Sequence, residues 1–263
     1  MKVIKFGGSS LANSQQIKKV LQIVQADETR RIVVVSAPGK RHSDDEKVTD
    51  LLIQLATSHI EGQYDEAVLE VILERYQEIY DELQLSSDVM DNIRQHFATL
   101  KESNLEPAYL MDAYKASGED NNAKLIADYF TKEGLPAKYI SPKEANLFVS
   151  DTPGNAQVLE EAYKELEYLQ LEKEIIVFPG FFGVTKDGKV VTFSRGGSDI
   201  TGSILANAVS AEEYENFTDV DAIFVASPKL VHKPIGIDVL SYTEMRELSY
   251  AGFSVFHTEA LLP

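Results

Sequence analysis

The sequence contains no cysteine. That absence excludes disulfides, thiolate metal sites and cysteine nucleophiles. Its five histidines form no pair at metal-ligand spacing. Positive charge is scarce: 25 Lys and Arg stand against 42 Asp and Glu, giving a net charge of −17. So acidic a chain is not built to grip nucleic acid or an anionic membrane. An anionic ligand must be held by local positive groups instead. No apolar run reaches the roughly 18 residues needed to span a membrane, and the N-terminus lacks the apolar core of a signal peptide. A soluble, cytoplasmic protein is the expectation. Repeats and low-complexity linkers are missing too. The 263 residues, 44% of them hydrophobic, therefore read as one domain with a sizeable core. GxGxxG is absent, which argues against a nicotinamide-dependent dehydrogenase.

Two glycine-centred stretches are present. Residues 192–201 read TFSRGGSDIT. A β-type run from Lys189 to Phe193 breaks at Gly196 and Gly197, and a helical pattern follows over residues 198–209. Paired glycines let the backbone approach a ligand closely. N–H groups at a helix start favour an anion, and Arg195 offers a fork that fits a carboxylate or phosphate. Asp199 suits a helix start and equally a metal–phosphate centre. The plainer reading is a turn before a capped helix, with Arg195 exposed. The chain opens in the same style, MKVIKFGGSSL. Lys5 lies in a β run ending at Gly7 and Gly8, and a helix marked by Ile17, Val20, Leu21 and Val24 follows. On a solvent-facing strand Lys5 needs no explanation; on a buried one it needs an anionic partner.

Between and after these stretches, strands alternate with helices. Residues 31–36 form a β-branched run typical of a buried parallel strand. Thr49 sits near the start of a helix carrying Leu51, Leu52 and Leu55. Residues 61–101 read as an acidic helical excursion, most simply a solvated hairpin without chemistry. Residues 109–116 look helical, and Ser117-Gly118-Glu119-Asp120-Asn121-Asn122 reads as a turn feeding a helix over 122–133. Glu119 there has an ordinary explanation, an acid near a helix N-terminus. Strands are expected at 137–140, 148–150 and 174–178, and a helix over 155–169. Residues 218–224 form a β run with Lys229 downstream, either a nucleotide clamp or an ordinary strand and turn. This order predicts an α/β fold, a three-layer αβα sandwich with a mostly parallel sheet. Ligands gather at the carboxyl ends of such strands, where residues 5–8, 36–38, 178–182 and 195–197 all fall. Residues 183–190 nearly spell a P-loop. The closing Ser or Thr is missing and a strand follows, so Lys186-Asp187-Gly188 is read as a hairpin turn.

KFGGSS, residues 33–40 (VVVSAPGK), KVTD at 47–50, SGE at 117–119, FSRGGSD near 195, FTDVD at 217–221 and AGFSVFH at 251–257 occur in this order. The ordered set resembles the aspartate kinases of the amino-acid kinase superfamily and spans almost the whole chain. The resemblance implies one catalytic domain over residues 1–263, with the excursion inside it, using ATP and Mg²⁺ to phosphorylate the β-carboxylate of L-aspartate. That is the first step toward lysine, threonine and methionine. It implies that Lys5, Gly7 and Gly8 hold the transferring phosphoryl group while Asp199 orients Lys5 or the magnesium shell. Magnesium is expected mainly through the ATP phosphates, with no protein ligand assigned. Arg195 would pair with a substrate carboxylate and Glu119 with the substrate ammonium. Ser36, Thr49, Gly196, Gly197 and Ser198 would surround aspartate, and Phe181 would wall the pocket. Ser9, Thr218, Asp219, Phe224, Lys229 and Ser254 would frame the nucleotide. Family members commonly have Lys where Ser254 stands and His-Pro where this chain has His257-Thr258. Other members acting on glutamate, carbamate or UMP, or a non-catalytic amino-acid-binding relative, remain as alternatives. Glu119 and Thr49 favour an amino acid, and a non-catalytic relative should have lost Lys5 or Asp199. Such kinases usually continue into regulatory ACT domains that pair subunits. This sequence stops at Pro263, so the expectation is no ACT domain, a monomer or weak homodimer, and no feedback inhibition by lysine or threonine.

Overall fold

The computed structural model describes residues 1–194, 196–218, 223–225 and 231–250. Its strands are β1 (Lys2–Phe6), β2 (Arg30–Val35), β3 (Ala137–Tyr139), β4 (Ile175–Pro179), the short hairpin of β5 (Phe182–Val184) and β6 (Val190–Thr192), and β7 (Glu213–Phe217). β3, β4, β2, β1 and β7 lie side by side in that order, and every pairing among them is parallel. A last small pair joins β8 (Ile223–Phe224) to β9 (Gly236–Ile237), antiparallel. The helices are α1 (Ser14–Gln25), α2 (Val48–Ile60), α3 (Glu66–Glu82), α4 (Val89–Lys101), α5 (Pro107–Lys132), α6 (Glu160–Leu166), α7 (Gly197–Ala208) and α8 (Tyr242–Tyr250).

Successive strand residues point to opposite faces of a sheet. Ile4, Phe6, Val33, Val35 and Val177 therefore enter one core, built with α1 to α5. Val3, Ile32, Val34, Ile176 and Phe178 enter the other, built with α6 and α7. Coverage on both faces explains why RRIVVV and IIVFP are nearly continuous apolar runs. It also fixes the face of Lys5, which shares the α7 side with Val3.

The αβα sandwich and the parallel sheet match the sequence reading. Around Lys186-Asp187-Gly188, β5 and β6 pair antiparallel and Thr185 N donates to Lys189 O (2.9 Å). The turn expected at 117–122 is absent: α5 runs unbroken from Pro107 to Lys132. The polar residues that signal a turn instead find partners within and around the helix. The Ser117 hydroxyl donates to Tyr114 O (2.6 Å), Asn122 Nδ2 to Ser36 O (2.7 Å), and Asp120 accepts from Lys124 (2.6 Å). Gly118 is there for close packing, since a Cβ would stand 2.9 Å from both Ala37 Cβ and Leu52 Cδ1.

Three further expectations change. Only residues 160–166 of the helix expected over 155–169 are α-helical, followed by a 3-10 turn. Ala156 N and Gln157 N donate outward, to Thr192 O and Ser150 Oγ, so the backbone there is already committed. The strand expected at 148–150 shrinks to isolated bridges at Phe148 and Val149. β7, with the sequence EYENF, went unread because it carries two glutamates and an asparagine.

Candidate active site

The carboxyl ends of β1, β2 and β4 open onto one crevice. Its inner chamber, about 240 Å³, is lined by Lys5, Gly7, Gly8, Ser36, Thr49, Glu119, Phe181, Gly196, Gly197, Ser198 and Asp199. Every sequence-selected substrate and phosphoryl residue that the structure describes is in that set. An outer chamber of about 580 Å³ shares Gly8, Ser36, Thr49 and Glu119 with it and extends past Ser9 to Lys40, His42 and Lys47. Thr218 and Phe224 line neither chamber. Arg195, Asp219, Lys229 and Ser254 lie outside the described residues, as do His257 and Thr258.

Lys5 is about 9% exposed and has the partner that a buried lysine requires: its Nζ stands 2.6 Å from Asp199 Oδ1. Asp199 is in the first turn of α7. Gly196 caps that helix at φ +80°, a left-handed conformation that favours glycine. Phe181 adopts φ +79° despite its side chain. Such strain costs on the order of 1–3 kcal/mol and persists only where neighbours hold it. Here Phe181 N donates to Thr201 Oγ1 (3.0 Å) and Phe181 O accepts from Phe193 N (2.8 Å). Ser36 and Ser198 share a hydrogen bond between their hydroxyls (3.0 Å), tying β2's end to α7.

Glu119 reaches the crevice from the middle of α5. It is about 5% exposed, and its Oε2 has no hydrogen-bond partner among the described residues. Burial pushes its carboxyl up to about 8, only partly opposed by backbone N–H groups. A buried acid with an unsatisfied oxygen suits a cationic ligand group. Tyr76 Oη braces the helix beside it by donating to Gly118 O (2.9 Å).

Sequence reasoning missed the supporting residues. Arg75, from the excursion, is about 3% exposed and donates to Gly39 O (2.8 Å), Glu46 O (3.1 Å) and Asp45 Oδ2 (2.9 Å). It fixes residues 39–47, the outer wall of the crevice, so the excursion is more than a solvated hairpin. Asn122 steadies Ser36, and Asn216 donates from Nδ2 to Asp199 Oδ1 (3.2 Å). An arginine in a helical stripe or an asparagine in a polar run gives no such signal alone. Among the described residues no group of three or more His, Asp or Glu is placed to hold a metal ion. No described helix is long and apolar enough to cross a membrane.

A parallel αβα sandwich with a lysine-bearing, glycine-framed crevice at its strand ends is the class that fold and site define. The family model for the amino acid kinase family matches residues 1–263, and the chain belongs to that family. It is 56% identical to Aspartokinase 3 of Bacillus subtilis, over 100% of this chain and 58% of that protein. The crystal structure of Clostridium acetobutylicum aspartate kinase superposes with a TM-score of 0.84 at 37% identity, over 99% of this chain and 57% of that one. Escherichia coli aspartokinase III in complex with aspartate and ADP also gives 0.84, at 27% identity, over 100% of this chain and 59% of that one. The chain thus spans less than two thirds of the length of these relatives.

Proposed function

We propose that this chain carries the catalytic site of an aspartate kinase, moving the γ-phosphoryl group of ATP to the β-carboxylate of L-aspartate. The observation that carries the reading is the convergence of Lys5, Asp199, Glu119, Thr49 and Ser198 on one small chamber. The relatives in the comparison support the same choice of substrates.

A carboxylate is ionised at neutral pH and needs no general base. The difficulty is repulsion between two anions, so catalysis consists of charge neutralisation and alignment. One β-carboxylate oxygen attacks the γ-phosphorus, the bond to the bridging oxygen breaks, and ADP leaves with its electron pair. Lys5 and the backbone at Gly7 and Gly8 hold the moving phosphoryl group. Asp199 keeps Lys5 aimed. Glu119 takes the substrate ammonium, Arg195 a substrate carboxylate, and Thr49, Ser36 and Ser198 supply hydrogen bonds, with Phe181 as a wall. Ser9, Thr218, Asp219, Phe224, Lys229 and Ser254 are assigned to the nucleotide. Mg²⁺, held mainly by ATP phosphates, would neutralise charge on the β- and γ-oxygens.

The test offers ATP and Mg²⁺ with L-aspartate, L-glutamate or UMP separately. ADP release with aspartate alone, and trapping of the acyl phosphate by hydroxylamine, are expected. ADP release with UMP or glutamate instead would replace the reading. In Lys5→Ala the loss of one transition-state contact should remove roughly 2.7–4 kcal/mol of stabilisation. That corresponds to a rate loss of about a hundredfold or more while aspartate still binds; near-normal turnover would contradict the role.

A further inference from the structure

β7 is more than the last described strand of the main sheet. Tyr214 and Asn216 lie two apart and face α7, and both reach Asp199. The Tyr214 hydroxyl donates to the Asp199 backbone oxygen (3.3 Å), and Asn216 Nδ2 donates to its side-chain Oδ1 (3.2 Å). That same Oδ1 holds Lys5 Nζ at 2.6 Å. Lys5 and Asn216 are direct partners across the parallel β1–β7 pairing. Their side chains therefore emerge side by side and converge on one carboxylate oxygen. The amide orientation follows from charge: turned over, its carbonyl would face a carboxylate. As placed, Asn216 Oδ1 is buried and lacks a hydrogen-bond partner among the described residues. An unsatisfied buried carbonyl is costly, so the donor on the other side of the amide has to be worth keeping.

We propose that Asn216 is a positioning residue for phosphoryl transfer, holding Asp199 so that Lys5 can leave it for the moving phosphoryl group. The proposal rests on the role of Lys5 given above. In the resting site Asp199 is neutralised by Lys5. As Lys5 turns to the γ-phosphoryl oxygens, Asp199 loses that partner inside a largely buried site. The Asn216 N–H stays on the same oxygen and keeps the carboxylate satisfied. Without it Asp199 competes harder for Lys5, and the ammonium is withheld when the reaction needs it. Aspartate and nucleotide binding do not depend on this exchange, so the effect belongs to kcat.

The test compares wild type with Asn216→Leu, which keeps bulk and removes the donor, and Asn216→Ser, a smaller change in case the leucine variant folds poorly. For a hydrogen bond to a charged group, kcat should fall about tenfold to a hundredfold in the leucine variant. KM for aspartate should stay within about twofold. Acylation of Lys5, followed by mass spectrometry of the peptide that carries it, reads the same exchange without any substrate. Labelling should slow in both folded variants because Asp199 grips Lys5 more tightly. Unchanged kcat, a KM that rises in step with the loss of rate, or unchanged Lys5 labelling would overturn the proposal. If wild type fails to phosphorylate aspartate, the functional reading falls, while the labelling experiment still decides the Lys5–Asp199–Asn216 arrangement.

Discussion

Glu119 is the residue whose ionisation the site controls most visibly. Its ordinary value, 4.5, rises to about 8 in the fold because the charged form is desolvated. The folded value lies above the unfolded one, so folding favours the protonated acid. The stability it contributes is fully present below about 4.5 and is lost as pH rises through about 8. At about 1.4 kcal/mol per pH unit, the whole span is on the order of a few kcal/mol. Denaturation at pH 6 and pH 9 should therefore show wild type losing stability relative to Glu119→Gln; parallel loss in both would refute the shift. Binding carries a second consequence. With its carboxyl raised to about 8, the protonated form predominates at neutral pH, and a substrate ammonium would ionise it. Calorimetry in buffers of different ionisation enthalpy should find protons released as aspartate binds, and none for Glu119→Gln.

At the scale of the element, α5 decides most. Gly118 in mid-helix costs propensity, and Ala there would gain about 1 kcal/mol on that ground alone. Packing opposes this. A Cβ would press on Ala37 and Leu52 at 2.9 Å, and overpacking typically costs 1–3 kcal/mol. Gly118→Ala should lower stability and disturb Glu119 beside it; a gain in denaturation midpoint would show that the contact yields. α3 supplies the other test. Removing Arg75 leaves Asp45 to Arg41 alone and frees the carbonyls of Gly39 and Glu46. Breaking such a buried pair costs about 3–5 kcal/mol. Arg75→Met should be destabilised on that scale, and trypsin should cut faster at Lys40, Arg41 and Lys47. Equal cleavage rates would mean that the wall stands without its clamp.

The same elements show what a sequence reveals and what it hides. β1, β2 and β4 were legible because burial on both faces demands apolar runs, and α7 because glycines and an acid mark its start. Thr49, Ser198 and Lys5 all line the crevice, since the motifs that carry them fall at strand ends and helix starts. α5 was misread for a physical reason: Ser, Gly, Asp and Asn signal turns when their side chains satisfy the local backbone. Here Asn122 and Asp120 reach side chains and carbonyls on other turns and other elements. Arg75 and Asn216 were invisible because their value lies in partners some 30 or 17 positions away.

Taken as a whole molecule, one parallel sheet separates two cores. Ile17 belongs to the first and Ile204 to the second, and neither has measurable exposure. Ile→Val at either site should cost about 0.5–1.5 kcal/mol. Because the sheet keeps the sites apart, the double variant should equal the sum within about 0.5 kcal/mol. A larger discrepancy would mean that strain passes through the sheet.

Among the described residues β7 forms one margin of that sheet, and a margin is where a second chain can add itself. Glu213 and Glu215 point away from α7, and Glu215 is tied to Lys2 (3.2 Å) and Arg30 (2.6 Å). A strand arriving there would have to bury these charges or break their pairings. The residues that make EYENF a poor strand on paper thus also make it a poor template for an added strand, and they stand beside the strand partner of the lysine proposed to hold the phosphoryl group.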